Sequence, residues 1–87
     1  MTKIYQFTWD CGRCGVVTGV FVADDAMVQD AMGKRVDLGE ALGKHSEVMG
    51  KLEEADLVVL SDSPSDVEVF TRILPRGSGY NPLNYLD

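Results

Sequence analysis

The stretch KIYQFTWDCGRCGVVTGVFVA, residues 3 to 23, decides the fold. In its first half Tyr5, Phe7 and Trp9 occupy every second position, which places them on one face of a strand. Two glycines within CGRCG, residues 11 to 15, then indicate a turn. The β-branched residues of VVTGVFVA, residues 16 to 23, indicate a returning strand, so the stretch predicts a β-hairpin.

The three aromatic side chains of the first strand have two interpretations. One face of a sheet is buried under helices, and Tyr5, Phe7 and Trp9 are then part of the core. On a face without helices they would instead anchor a partner, and Trp9 is a candidate binding residue for that reason. Gly19, in the middle of the second strand, indicates a bulge or the close approach of another backbone.

A short helix and a strand are predicted downstream of the hairpin. Asp24 and Asp25 are suited to the first turn of a helix, where they cap free amides and complement the dipole, and Gly33 is a fair stop. The apolar run LVVL, residues 57 to 60, is bounded by acidic and polar residues, as a buried strand should be.

A second helix and an irregular tail complete the chain. Ser63 is a candidate helix cap, Pro64 suits the first helical position, and Pro75 ends the helix. The tail, residues 80 to 86, carries four large apolar side chains and is expected to pack back on the body.

Residues 36 to 54, VDLGEALGKHSEVMGKLEE, fit two structures. As a helix they place His45 on an apolar stripe with 3-4 spacing, but each of three internal glycines costs about 1 kcal/mol. As a hairpin, a strand at 36–42 turns through residues 43–46 and returns along 47–52. The glycines suit the turn, and the hairpin is the preferred prediction.

Residues 39 to 57, GEALGKHSEVMGKLEEADL, resemble a stretch of small, uncharacterised bacterial and phage proteins, and GYNPL at 79–83 adds to that resemblance. The resemblance favours strands within residues 36 to 54. It implies a phage or mobile-element accessory protein, and it brings no named activity, cofactor or catalytic residue.

The order of these elements predicts an α+β fold. We expect a mostly antiparallel sheet of four to five strands with two short helices on one face. The 87 residues suffice for one hydrophobic core, so residues 1–87 are expected to form a single domain.

The charge balance restricts the classes of partner. Eight Lys and Arg against fourteen Asp and Glu give a net charge of −6, which argues against nucleic-acid binding and against anionic membranes. The longest apolar runs have four residues, whereas a membrane span needs about 20. With no signal-peptide pattern and two cysteines only three positions apart, a reduced cytoplasmic location is expected.

The pair Cys11 and Cys14 suggests an alternative function. Two thiolates at this spacing resemble half of a zinc ribbon, but a structural zinc site needs four ligands. His45 with a carboxylate such as Asp10 would complete the set, as would two cysteines from a second chain in a homodimer. The order Trp9 to Cys14 also resembles a thioredoxin-type motif, although a strand rather than a helix is predicted to follow it.

No catalytic site emerges from the remaining motifs. Residues 39 to 46 resemble a phosphate-binding loop, but the glycines are four rather than five positions apart and His45 separates Lys44 from Ser46. A single histidine allows few acid–base arrangements, and no convergent set of groups can be assembled. The sequence therefore predicts no enzyme and no cofactor, zinc being the alternative.

A small acidic protein-binding module is the function that the sequence favours. Six acids and no base lie between Lys51 and Arg72, a pattern that suits docking on a basic protein surface. The tip of the hairpin predicted for residues 36 to 54 presents Lys44, His45 and Ser46, whose polar groups are suited to contact a partner.

Overall fold

The computed structural model of the chain describes residues 1 to 40 and 47 to 86. Its strands and helices within these ranges are β1 (Thr2–Asp10), β2 (Val16–Asp24), α1 (Asp25–Ala31), β3 (Arg35–Gly39), β4 (Val48–Lys51), β5 (Leu57–Ser61), α2 (Pro64–Ile73) and β6 (Ser78–Gly79). Short 3-10 helices lie at Gly12–Cys14, Glu54–Asp56 and Pro82–Tyr85. Neither α1 nor α2, the two α-helices of the described ranges, has the length and apolar character that crossing a bilayer requires.

The main sheet is antiparallel and has the strand order β5-β1-β2-β6. The β1–β2 hairpin has a regular register in which Tyr5 lies opposite Phe21 and Phe7 opposite Gly19. The predicted α+β class, with a four-stranded antiparallel sheet and two short helices, is confirmed.

The hairpin predicted for residues 36 to 54 is also confirmed within the described residues. β3 and β4 pair antiparallel as a separate two-stranded sheet, with Val36 opposite Gly50. Its predicted tip, which includes Lys44, His45 and Ser46, lies outside the described residues.

The core lies on one face of the β1–β2 hairpin. Phe7 is 0% exposed and Tyr5 stacks on Phe21 with ring centroids 5.6 Å apart. Val28 and Ala31 of α1 belong to the same buried cluster, as do residues of the β3–β4 hairpin. Tyr5 and Phe7 are therefore core residues, which was the first interpretation of the aromatic face.

The two helices are distributed over both faces of the sheet rather than over one. Ile4 alternates with Tyr5 along β1 and so lies on the opposite face. Val69 and Phe70 of α2 line a groove together with Ile4, which places α2 on that second face. The reason is that the second face is itself partly apolar, with a buried Ile4 and a half-buried Val22 that need cover.

Both helices begin where the sequence predicts. The Asp24 carboxylate accepts a hydrogen bond from the backbone N–H of Ala26 (2.9 Å), as an N-cap does. Pro64 occupies the first turn of α2, but Ser63 makes no side-chain capping bond. Instead, the Ser63 N–H donates to the Ser61 hydroxyl (3.1 Å).

Gly19 permits the close approach of the C-terminal segment. It pairs with Gly79 of β6, and a Cβ at Gly19 would overlap the backbone of Tyr80. The expectation that another backbone lies close to Gly19 is therefore confirmed. The tail packs on the body as expected, since Pro82 is buried and Leu83 contacts the core.

The LVVL run forms the predicted strand, but its predicted burial is wrong. Val58, Val59 and Leu60 are 56%, 48% and 50% exposed. The cause is position, because β5 is the end strand of the sheet and pairs on one side only, with β1. A bulge at Ile4/Tyr5 further disrupts the end of this pairing.

Candidate protein-binding surface

The exposed apolar residues of β5 and α2 form the main candidate site. We call it the β5–α2 surface and define it by five side chains on α2 and on both faces of the open edge of the sheet: Val58, Val59, Leu60, Val69 and Ile73. They come from the end strand of the sheet and from the helix that follows it after a two-residue connection. Single exposed apolar residues are common on proteins, but this many from two consecutive elements indicate a surface that a partner covers.

The second helix contributes an apolar stripe and a groove. Val69 and Ile73 are four positions apart and thus lie on the same side of α2; their side chains are 44% and 66% exposed. Beside them runs a groove of about 360 Å³, lined by Ile4, Asp66, Val69, Phe70, Ile73 and Leu74. No residue of α2 is fully buried, so the helix rests on the sheet while much of its apolar side faces outward.

The outer edge of β5 bears no partner strand among the described residues, which makes its backbone accessible. Hydrogen-bonded and non-hydrogen-bonded pairs alternate along an antiparallel ladder. The Cys11 N–H donates to the Gly15 carbonyl (2.9 Å). Because the register of the hairpin is regular, the backbone groups of the odd-numbered residues of β1 form the hydrogen bonds to β2. Even-numbered residues bond β5, and Gln6 pairs with Val58. The N–H and C=O of Val59 consequently point to the open edge.

Acidic side chains border this surface at both ends of β5. Asp56 precedes the strand, and its carboxylate accepts a hydrogen bond from the Glu53 N–H (2.9 Å). Asp62 follows the strand, and the Ser61 hydroxyl donates to the Asp66 carboxylate (2.6 Å). Glu53, Asp62 and Asp66 are exposed, and Asp56 is half-buried. The surface therefore combines an apolar centre with negative ends.

Trp9 lies at a second, separate concavity. Its ring meets Phe7 edge-on, with centroids 5.1 Å apart, and lies close enough to β4 that a Cβ at Gly50 would stand 3.6 Å from it. A cavity of about 330 Å³ is lined by Trp9, Asp10, Cys11 and residues Glu47 to Lys51. Trp9 is half-buried at the border of the core. It forms one wall of this cavity and does not belong to the β5–α2 surface.

The CGRC turn is held by its own backbone and by Asp10. The Asp10 carboxylate accepts a hydrogen bond from the Gly12 N–H (2.9 Å), and Gly12–Cys14 forms a 3-10 turn. β2 follows directly, so Cys11 does not stand at the start of an α-helix that would stabilise a thiolate as in thioredoxin-type sites.

A metal at this turn stays a prediction. Among the described side chains no group of three or more His, Cys, Asp and Glu lies close enough together to hold a metal ion. His45, which the single-chain zinc arrangement requires, lies outside the described residues. The Asp10 carboxylate, the other proposed ligand, already binds the turn.

The residues chosen from the sequence and the β5–α2 surface are different parts of the molecule. Lys44, His45 and Ser46 lie outside the described residues, and Trp9 lies at the cavity beside the CGRC turn. Sequence reasoning missed Val69 and Ile73, because the local pattern of the second helix does not say which of its apolar residues the sheet leaves exposed. The signal that did point to this region was the run of acids between Lys51 and Arg72.

Comparison with known proteins gives no family for the chain. No protein-family model, no curated protein and no solved structure matches it. A function is therefore inferred from the surface of the molecule.

Proposed function

We propose that this chain is a small acidic, non-enzymatic protein-binding module that docks on a basic surface of a host protein, as a phage or mobile-element accessory protein would. The observation that supports the proposal is the β5–α2 surface, an exposed apolar centre bordered by acids. It is a feature that a partner would complete.

The apolar centre supplies a driving force for association. Fully burying a Val, Leu or Ile side chain contributes about 1.5 to 3 kcal/mol, and the five side chains of the surface are each roughly half exposed or more. Translational and rotational costs of binding, about 4 to 15 kcal/mol, offset a large part of this gain. The apolar side chains alone thus favour moderate affinity, to which charge adds.

The acids favour a partner with basic groups around an apolar patch. Asp62 and Asp66 are exposed and Asp56 is half-buried, and all three lie around β5 and the first turn of α2. Complementary charge accelerates encounter and suppresses wrong partners more than it raises affinity. The chain's net charge of −6 acts in the same direction over longer distances.

The experiment is a pull-down from a bacterial lysate with the tagged protein as bait, at low salt and at about 0.3 M salt, where charges more than a few ångströms apart are screened. We expect one or a few proteins that are retained at low salt and weakened as salt rises. Ile73→Ser should reduce their recovery at least fivefold.

A matched control separates this surface from exposed apolar residues in general. Met27 of α1 is 61% exposed, close to the 66% of Ile73, but lies on a different helix. Met27→Ser should retain the partners at the level of the unchanged protein. Equal losses in both variants, or no specific partner together with turnover of a small substrate, would overturn the proposed function.

A further inference from the structure

We infer that the partner reaches the β5–α2 surface as an extended segment that adds a strand to the open edge of β5, with apolar side chains at its centre and Lys or Arg at both ends. This inference rests on the proposed function and specifies the chemistry of the partner. It follows from the backbone of β5, from the side chains on its two faces, and from the charges at its ends.

The backbone of β5 offers hydrogen-bonding groups in the direction away from β1. Val58 forms its backbone hydrogen bonds with Gln6 of β1, and its neighbour Val59 therefore directs both its N–H and its C=O away from β1. The C=O of Leu57 points the same way, while the Leu57 N–H already donates to the Glu54 carbonyl. An added strand thus meets one donor and two acceptors along β5, the pattern that strand addition uses.

The side chains provide contacts on both faces of an added strand. Val58 pairs with Gln6 and shares the face of Ile4, which is the face of the groove beside α2. Val59 pairs with Tyr5 on the opposite face and is 48% exposed. Successive side chains of an incoming strand point to opposite faces. Successive side chains of that strand would therefore cover Val59 on one face and Val58 on the other.

The charges favour a basic segment over a second copy of this chain. If two β5 strands paired antiparallel about Val59, Asp56 of each copy would stand opposite Asp62 of the other, and like charges directly opposite destabilise a ladder. Acids and a bulge at an edge strand are devices that discourage self-pairing. A segment with Lys or Arg at its ends turns the same acids into favourable contacts.

The test uses the full chain and two nine-residue synthetic peptides, measured by fluorescence anisotropy with a label on the peptide. The basic peptide is Lys-Arg-Val-Thr-Val-Thr-Val-Arg-Lys, and the control peptide carries Glu at the four charged positions. We expect the basic peptide to bind at least tenfold tighter than the acidic one. Asp56→Asn with Asp62→Asn should reduce that preference at least fivefold.

Two substitutions at one position isolate the backbone contact. Val59→Pro removes the N–H that points to the open edge, and proline is tolerated at edge strands in that orientation. Val59→Thr keeps the N–H and the β-branched shape. We expect Val59→Pro to weaken basic-peptide binding at least tenfold and Val59→Thr to stay within threefold. Circular dichroism spectra that match the unchanged protein show that both variants are folded, and an N-methyl group at the central Val of the peptide gives the same test if the proline variant unfolds.

Several results would overturn the inference. They are equal binding of both peptides, absence of binding to either, full binding by a folded Val59→Pro variant, or a dimer in sedimentation that Val59→Pro dissociates, which would make a second copy the occupant. The lysate pull-down tests the proposed function independently of strand addition. Partners that Ile73→Ser loses but Val59→Pro retains would support the proposed protein-binding function and contradict strand addition.

Discussion

β1 and β5 are neighbours in the same sheet and are both rich in apolar residues, yet their environments are opposite. β1 is paired on both sides and carries Phe7, which is 0% exposed, whereas β5 is paired on one side and carries Val58, which is 56% exposed. The difference teaches that the number of neighbouring elements decides whether a strand is buried. Apolar composition decides only how favourable that burial would be.

The two helices repeat this contrast. α1 buries Val28 and Ala31 against the core, while α2, although longer, has no fully buried residue and leaves Ile73 largely exposed. The described part of the chain thus completes its core on one face of the sheet and leaves apolar side chains exposed along the open edge at β5 and on α2. That asymmetry is the physical basis of the proposed binding role.

The largest expected effect comes from removing a core side chain of β1. Phe7→Ala should lower the free energy of unfolding by about 3 to 5 kcal/mol, because it removes apolar contacts and leaves a cavity. Val58 follows Leu57, the residue that pairs with Phe7 in the neighbouring strand, and Val58→Ala should cost less than about 1 kcal/mol. Urea denaturation followed by circular dichroism measures both. Comparable losses in the two variants would show that β5 is covered and would break the contrast.

The helices provide the second test, with the same substitution at a buried and an exposed site. Val28→Ala should cost about 2 to 3 kcal/mol, since it deletes buried methyl groups from the core. Val69→Ala removes an exposed side chain and introduces the best helix former, so stability should be unchanged or rise by a few tenths of a kcal/mol. A loss above about 1 kcal/mol for Val69→Ala would place that side chain in a packed interface.

Local patterns in the sequence predicted the elements well for physical reasons. The alternation of Tyr5, Phe7 and Trp9 has the period of a strand, and the capping residue Asp24 and the helix-starting Pro64 act over one turn of chain. The hairpin in residues 36 to 54 was predicted correctly because three glycines weigh against a helix.

Arrangement within the sheet was not predictable in the same way. Whether LVVL lies at the centre or at the edge depends on which strands pair, and that is set by contacts between residues distant in sequence. The alternation of residues along β1 likewise does not say which face each helix covers. The candidate site was missed for this reason, because Val69 and Ile73 gain their significance only from the edge position of β5 and from the exposure of α2.

The C-terminal segment supplies a third, smaller contrast, between two glycines in strands. Gly19→Ala forces a methyl group into the backbone of Tyr80 and should cost about 1 to 3 kcal/mol, as overpacking does. Gly50→Ala meets only the Trp9 ring at 3.6 Å, an ordinary contact, and should be neutral or slightly stabilising. Thermal unfolding of both variants measures the difference. If the stability of Gly19→Ala were unchanged, β6 and Tyr80 would not be packed closely against β2.

The smallest expected effect on stability is at the predicted tip of the β3–β4 hairpin, where Lys44→Ala with His45→Ala should change the free energy of unfolding by less than about 0.5 kcal/mol. The strands on either side, β3 and β4, pair as the hairpin prediction requires, and a polar turn between strands contributes little to a core. A helix through residues 36 to 54 would instead have placed His45 on a buried stripe.

The binding role predicted for this tip is measured on the same variant, with partner recovery in the pull-down as the readout. A drop of about tenfold or more in partner affinity, with stability retained, would extend the binding surface to the tip, whereas unchanged recovery beside a loss for Ile73→Ser would confine binding to the β5–α2 surface.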